Sequence, residues 1–178
     1  AQRKRVDLHQ GLDSTLTILG NKLKARGARP EIEIIREYGD LPLVDCFPGQ
    51  LNQVFMNLLT NAIDALDEKW VAQFDGTEAH GSQWTPKIIL RTELVEGDRV
   101  HLHFTDNGIG IPDHVKRRMM DPFFTTKPVG KGTGLGMAIS YQIIVERHHG
   151  QLTCLSTPGH GTRFLIDLPL ATAAAPAQ

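Results

Sequence analysis

The chain has 178 residues, 40% of them hydrophobic, with 19 basic and 20 acidic side chains and a formal net charge of -1. That length can bury one sizeable core, and so even a charge balance gives no electrostatic case for binding nucleic acid or an anionic membrane surface. No run approaches the ~18 apolar residues of a membrane span, nothing has the form of a signal peptide, and Cys46 and Cys154 lie in apolar strand-like runs that suit buried, reduced thiols.

Residues 1–6 begin with a short basic segment and are expected to be the cut end of a linker. Asp7 and Gln10 have the spacing of a capping box that opens a helix. Leu8, Leu12, Leu16, Leu19 and Leu23 then share one face, and Gly27 suits the position just past its end. Gly11 and Gly20 each weaken this helix by up to ~1 kcal/mol relative to alanine, so packing has to hold it. Ile32 and Ile34 alternate as a strand, Leu43 to Phe47 form a second, and Pro48-Gly49 turns into a helix over 50–68.

That helix has two chemically unlike faces. At 3.6 residues per turn, Leu51, Phe55, Leu58, Leu59, Ala62 and Leu66 form an apolar stripe. Gln50, Gln53, Asn57, Asn61, Asp64 and Glu68 line the other side with amides and carboxylates and no lysine or arginine. A solvated helix face normally mixes charge signs, so this one reads as an oxygen-rich wall.

Beyond Leu66 the pattern decays, and 74–86 reads as an exposed loop. Strands over 87–95 and 99–105 are joined by the hairpin signal Glu96-Gly97-Asp98. A short helix is expected over 112–120 with Pro112 in its first turn. A mobile loop is expected over 121–133, then a helix over 135–149 that buries Ile139, Ile143 and Ile144. Strands over 151–155 and 163–168 flank the turn Thr157-Pro158-Gly159, and the Ala/Pro-rich stretch 171–178 is expected to be disordered. The order predicts a single domain over 7–170. Its fold class is a two-layer α/β sandwich with a mixed, largely antiparallel sheet and helices on one face.

Three glycine-rich stretches supply what the oxygen-rich wall lacks. Asp106-Asn107-Gly108-Ile109-Gly110-Ile111 follows a strand, where a carboxylate can accept from an exocyclic amine and glycines can admit a flat ring. Gly130-Lys131-Gly132-Thr133-Gly134-Leu135-Gly136 opens a helix, and bare backbone N–H groups there make a phosphate cradle. It is neither a Walker A loop nor a Rossmann fingerprint: no lysine follows the last glycine, and no strand precedes the loop. Gly159-His160-Gly161-Thr162 leads into the last strand. Phosphates call for a metal, Mg²⁺ prefers oxygen ligands, and the Asn61 carbonyl suits it.

Asn57-Leu58-Leu59-Thr60-Asn61-Ala62, Asp106-x-Gly108-x-Gly110, Pro122-Phe123-Phe124, Gly132-Thr133-Gly134-Leu135-Gly136 and Gly159-x-Gly161-Thr162 resemble, in order, the N, G1, F, G2 and G3 boxes of sensor histidine kinases. The resemblance is to their catalytic ATP-binding domain, of the Bergerat (GHKL) fold shared with gyrase, Hsp90 and the mismatch-repair ATPases, and it covers nearly the whole chain. It implies ATP and Mg²⁺ as cofactors, Asn61 as metal ligand, and Asn57 on the phosphates one turn earlier. Asp106 would read the adenine amino group, with Gly108, Ile109, Gly110 and Ile111 around the ring and Thr162 in support. Gly132, Thr133, Gly134, Leu135, Gly136 and Met137 would cradle phosphate, and Phe123 and Phe124 would anchor a closing loop in which Lys127 or Lys131 meets the γ-phosphate. Asp64 departs from many histidine kinases, which carry a basic residue there.

ATP-hydrolysing relatives place a glutamate one turn before the metal-binding asparagine to activate water. Asn57 stands there instead and cannot act as a general base at neutral pH. Phosphoryl transfer to a histidine asks mainly for positioning and charge neutralisation. The eight histidines offer no helix-borne acceptor followed by an acidic residue, and His9 reads as structural. The acceptor hairpin is therefore expected upstream, in a homodimeric parent whose catalytic domain is cytoplasmic and touches no membrane, with a response regulator receiver domain as second partner. The alternatives are a Bergerat ATPase doing conformational work, a nucleotide-sensing module without chemistry, and a serine-directed kinase of the anti-sigma type.

Overall fold

The computed structural model describes residues 2–74, 84–121 and 136–170. In chain order these hold β1 (Lys4–Val6), α1 (Leu8–Ile18), α2 (Gly20–Leu23), β2 (Glu33–Tyr38), β3 (Val44–Cys46), α3 (Pro48–Phe74), β4 (Lys87–Val95) and β5 (Arg99–Asp106). Then come α4 (Asp113–Lys116), α5 (Gly136–Tyr141), which widens into a π turn over Gln142–Arg147, β6 (Gln151–Thr157) and β7 (Gly161–Pro169). Residues 75–83 of the loop expected over 74–86, most of the loop over 121–133 and the tail over 171–178 lie outside the described residues.

Five strands form one sheet in the order β2-β4-β5-β7-β6, and β1 pairs with β3 in a separate ribbon. β2 runs parallel to β4, and every other pair in the large sheet is antiparallel. This is the expected mixed, largely antiparallel sandwich. Alternation along the strands explains the layering: Ile88, Leu90, Val100, Leu102, Phe104, Phe164, Ile166 and Leu168 are all buried on one face. The apolar stripe of α3 meets that face, with Phe55 and Phe104 ring centroids 5.9 Å apart.

Asp7 caps α1, although its carboxylate accepts from the His9 N–H at 2.9 Å rather than completing the box through the expected fourth position. Leu8, Leu12, Leu16, Leu19 and Leu23 are buried as their spacing requires. Gly11 has a packing reason: a Cβ there would stand 3.3 Å from the Phe55 ring and closer still to Asn52, so its absence lets α1 lie close on α3. Gly27 does not end the helix. It sits at φ +58 in a turn closed by reciprocal backbone bonds between Arg26 and Arg29. His9 is structural, stacked on Tyr38 at 4.2 Å with its Nε2 2.7 Å from Thr92 Oγ1.

Several boundaries differ from the sequence reading. Lys4–Val6, expected within a linker, pair with Val44–Cys46. α3 runs on to Phe74 because its last turns bury Lys69 and stack Trp70 on Trp84, contacts that an apolar-period count passes over. Pro112 is the N-cap of α4 rather than its first residue, and α4 is a single turn. The helix expected over 135–149 relaxes into the π turn, where the His148 N–H reaches back five residues to the Ile143 carbonyl at 3.1 Å. Cys154 is only half-buried, and burial pushes the thiols of Cys46 and Cys154 up to about 11, so both rest as unreactive thiols.

His148 joins the two ends of the helical layer. It is buried, its Nδ1 lies 2.8 Å from the Ile143 carbonyl, and its Nε2 accepts from the Phe47 N–H at the start of α3 at 3.0 Å. Burial holds its pKa below the ordinary histidine value. A depressed histidine stabilises the fold in full above its unfolded pKa, near 6.5, and loses that contribution as pH falls through the folded value. Replacing His148 with Leu is expected to cost about 1–3 kcal/mol at pH 7.5, since it strands the Phe47 N–H, while the Ile143 carbonyl keeps its backbone donor. Chemical denaturation should show the gap to wild type narrowing towards pH 5; a pH-independent gap would contradict the neutral-acceptor role.

Candidate functional site

At the end of β5 several backbone segments come close together. A Cβ on Gly108 would lie 2.7 Å from the carbonyl carbon of Ala65 in α3, so only glycine permits this approach. The next residue then donates its N–H to the Ala65 carbonyl at 3.1 Å. Gly110, at φ +78, would drive a Cβ into Thr157 and Pro158, and Gly161, at φ +137, into the Asp106 carbonyl and Asn107. Ile109 accepts from the Gly159 N–H at 2.6 Å, which closes the β6–β7 turn onto the same loop. These glycines are spent on backbone-to-backbone contact, not only on room for a ligand.

Asp106 sits at this junction and is 6% exposed. Its Oδ1 accepts from the Gly108 N–H at 2.8 Å, and the backbone N–H of Thr162, its partner across the ladder, donates to the same carboxylate. Burial pushes its pKa up to about 6, while the two backbone donors and the Lys69 ammonium pull the other way. The Thr162 hydroxyl lies 2.9 Å from Ser156 Oγ, which accepts from the Ile111 N–H at 2.7 Å. A hydroxyl pair thus holds the wall beside the acid.

A cavity of about 520 Å³ opens against this wall, a volume that suits a small organic ligand. Its sides bring together Asn61, Asp64 and Glu68 from α3, Asp106 and Ile109 to Ile111 from the β5 end, and Thr162 and Phe164 from β7. His114 and Met119 close it from α4 and the turn that follows. Of the residues singled out in the sequence, Asn61, Asp64, Asp106, Ile109, Gly110, Ile111 and Thr162 line the cavity, and Gly108 lies behind it against Ala65.

Asn57, Gly136 and Met137 are brought to one another but stand outside that lining. Asn57 Nδ2 donates to the Gly136 carbonyl and to Ser140 Oγ, each at 3.1 Å, and Asn61 Nδ2 points to Met137 Sδ at 3.1 Å. The amides of α3 therefore grip the start of α5. Phe124, Lys127, Lys131, Gly132, Thr133, Gly134 and Leu135 lie outside the described residues.

Lys69 and Ser156 went unnoticed in the sequence. Lys69 is 8% exposed, its ammonium donates to the Gly159 carbonyl at 2.9 Å, and it stands 5.4 Å from the Trp84 ring centre. Its signal was available: it follows Leu66 by three positions, so it continues the buried stripe with a charge. Ser156 lies in an alternating strand and has no local signal at all.

Residues 47–172 match the family described as histidine kinase-, DNA gyrase B- and HSP90-like ATPases. The chain is 33% identical over 161 residues to sporulation kinase E of Bacillus subtilis, covering 90% of this chain and 19% of that protein. It is 40% identical over 148 residues to sensor kinase CckA of Brucella abortus, covering 83% of this chain and 15% of that one. The chain thus spans about a fifth or less of the length of these relatives. Its fold is similar to the catalytic domain of histidine kinase ThkA, with a TM-score of 0.73 at 23% identity over 96% of this chain and 99% of that one. It is similar also to full-length ShkA in complex with AMPPNP, with a TM-score of 0.74 at 24% identity over 98% of this chain and 32% of that one.

Two outcomes follow from the geometry. Gly108→Ala should lower stability by about 1–3 kcal/mol, the usual cost of overpacking, because the Ala65 backbone cannot yield as a side chain would; an unchanged melting temperature would contradict the contact. Asp106, followed by its carboxyl carbon resonance, should titrate near pH 6 in the free protein. Its proton is held more tightly folded than unfolded, so its burial penalty is full above about pH 6 and shrinks as pH falls towards 4. A midpoint in the ordinary carboxylate range would contradict its desolvation.

Proposed function

The chain belongs to the histidine kinase-, DNA gyrase B- and HSP90-like ATPase family, and from that premise we propose that it is the ATP-binding catalytic domain of a two-component sensor histidine kinase. The family binds ATP. In the proposed reading the chain, over 7–170, presents the γ-phosphoryl group to a histidine on a helical hairpin outside it, for onward transfer to a response regulator receiver domain. The parent would be a homodimer with this domain on the cytoplasmic side.

One observation carries the reading: a buried carboxylate, Asp106, lines a cavity together with the amide and carboxylates of α3, Asn61, Asp64 and Glu68. The adenine amino group would donate to Asp106, and Ile109, Gly110 and Ile111 would lie along the ring. The triphosphate would then extend towards Asn61 and the start of α5, where Gly136 and Met137 continue the glycine-rich stretch Gly132 to Leu135. Phe124, Lys127 and Lys131 belong to the segment that would close over it.

Mg²⁺ fits the donor set. Asn61, with Asp64 and Glu68 on the same cavity wall, offers hard oxygens and no sulfur or imidazole. The Asn61 amide nitrogen is turned to Met137, which leaves its carbonyl oxygen as the atom for a cation. Bound there, the ion would neutralise charge building on the phosphates. Asn57, one turn earlier, offers an amide where a water-activating base would be needed, and this favours transfer over hydrolysis.

Mixed with labelled ATP, Mg²⁺ and a separate polypeptide carrying its parent's acceptor helix, the chain should produce acid-labile, base-stable phosphohistidine. Rapid phosphate release with no phosphohistidine would favour the ATPase reading, and nucleotide binding with neither product the sensing module. Asp106→Asn should weaken ATP binding roughly tenfold or more by calorimetry, the scale of a lost charge-assisted hydrogen bond. Asn61→Ala should reduce affinity for ATP with Mg²⁺ far more than without it, and equal losses would put the metal elsewhere.

A further inference from the structure

The sheet face turned away from the helices carries a cluster that the nucleotide site does not use. On β5 the even positions Val100, Leu102 and Phe104 are buried against the helical layer, so His101 and His103 project together from the opposite face. The ladder sets Glu93 of β4 directly opposite His101 on one side and Asp167 of β7 on the other. Glu93 Oε1 stands 3.1 Å from His103 Nε2 and 3.7 Å from His101 Nδ1. All three ligand atoms fall within 4.8 Å of one another.

We propose that Glu93, His101 and His103 form a binding site for a divalent transition metal, with zinc as the best-fitting ion. Bonds of 2.0–2.1 Å in a tetrahedral shell place neighbouring ligand atoms roughly 3.3 Å apart, and the two distances from Glu93 bracket that value. Two imidazoles and one carboxylate select for zinc and its neighbours over Mg²⁺ or Ca²⁺. A fourth position would fall to water.

The groups behind these ligands are arranged as such a site needs. A metal-bound histidine commonly donates its second ring N–H to a carboxylate, which fixes the tautomer and the ring's orientation. His101 Nε2 lies 3.5 Å from Asp167 Oδ1, and Asp167 is itself held by Arg99 Nε at 2.7 Å. Arg91 Nη2 lies 3.3 Å from Glu93 Oε2 and leaves Oε1 turned to both rings. His103 and His101 side chains are 13% and 23% exposed, shielded enough to be held and open enough for an ion to enter. Two arginines offset the two acids, so attraction for the ion comes from coordination rather than from a negative field, and micromolar rather than nanomolar affinity is expected.

An ion here would clip β4 to β5 and, through Asp167, brace β7; β5 and β7 carry the wall at Asp106. The full chain, free of nucleotide and chelator at pH 7.5, should take up one Zn²⁺ with micromolar affinity in a chelator-dye competition, and its melting temperature should rise. Mg²⁺ at millimolar levels should not compete. His101→Ala and His103→Ala should each weaken zinc binding tenfold or more and abolish the thermal shift. Asp167→Asn should weaken it less while leaving the stoichiometry at one. Bound Co²⁺ should give the intense visible absorption of a four-coordinate site in wild type and lose it in either histidine variant, each checked for native circular dichroism. No uptake at 100 μM zinc, or zinc and its thermal shift retained in the double histidine variant, would overturn the assignment.

Discussion

The fold turns on the contact between a glycine and a helix backbone. Gly108 lies against Ala65, and the Ile109 N–H donates to the Ala65 carbonyl, so the end of β5 is welded to the middle of α3. Everything that shapes the cavity is referred to that contact. It puts Asp106 at one end of the pocket and places Asn61 and Asp64, one turn and less towards the helix start, along its side. The β6–β7 turn is drawn in by Gly159 and Lys69, and Thr162 then completes the floor. A side chain at any of Gly108, Gly110 or Gly161 would separate these layers, so the spacing of the glycines is a requirement of the scaffold as much as of a ligand.

Electrostatically the site is costly in the free protein. Burying a carboxylate raises its pKa and works against folding, and Asp106 is compensated by two backbone donors and a lysine that is itself buried. A core built for stability alone would do better with an apolar residue there. A buried carboxylate with a raised pKa at a cavity wall is instead what a binding site holds ready for a ligand donor. The amides of α3 have the complementary property: Asn57 and Asn61 pin α5 through their nitrogens and leave oxygens for a cation or for water.

Much of this was legible in the sequence because it is written in period and in glycine spacing. The apolar stripe of α3, the five leucines of the first helical segment and the alternating strands are buried as their periods require, and the mixed sheet with helices on one face follows from their order. Asp106 was legible as the acid closing a strand before two spaced glycines. What was not legible depends on side chains doing something their type does not advertise. Lys69 extends α3 by burying an ammonium, which a hydrophobic count scores as the helix's end. His148, at the end of the π turn, bonds across to Phe47, a contact about a hundred residues away in sequence. Ser156 reads as an ordinary strand residue until the ladder sets it beside Thr162. Local pattern finds the elements and the turn chemistry, and it misses polar groups whose partners come from distant strands.

The most direct test is a crystal structure of the chain grown with a non-hydrolysable ATP analogue and Mg²⁺. The adenine amino nitrogen should lie within hydrogen-bonding distance of the Asp106 carboxylate, with the metal on the Asn61 carbonyl oxygen. A nucleotide lodged on another face, or none bound at millimolar concentration, would contradict the assignment of this cavity.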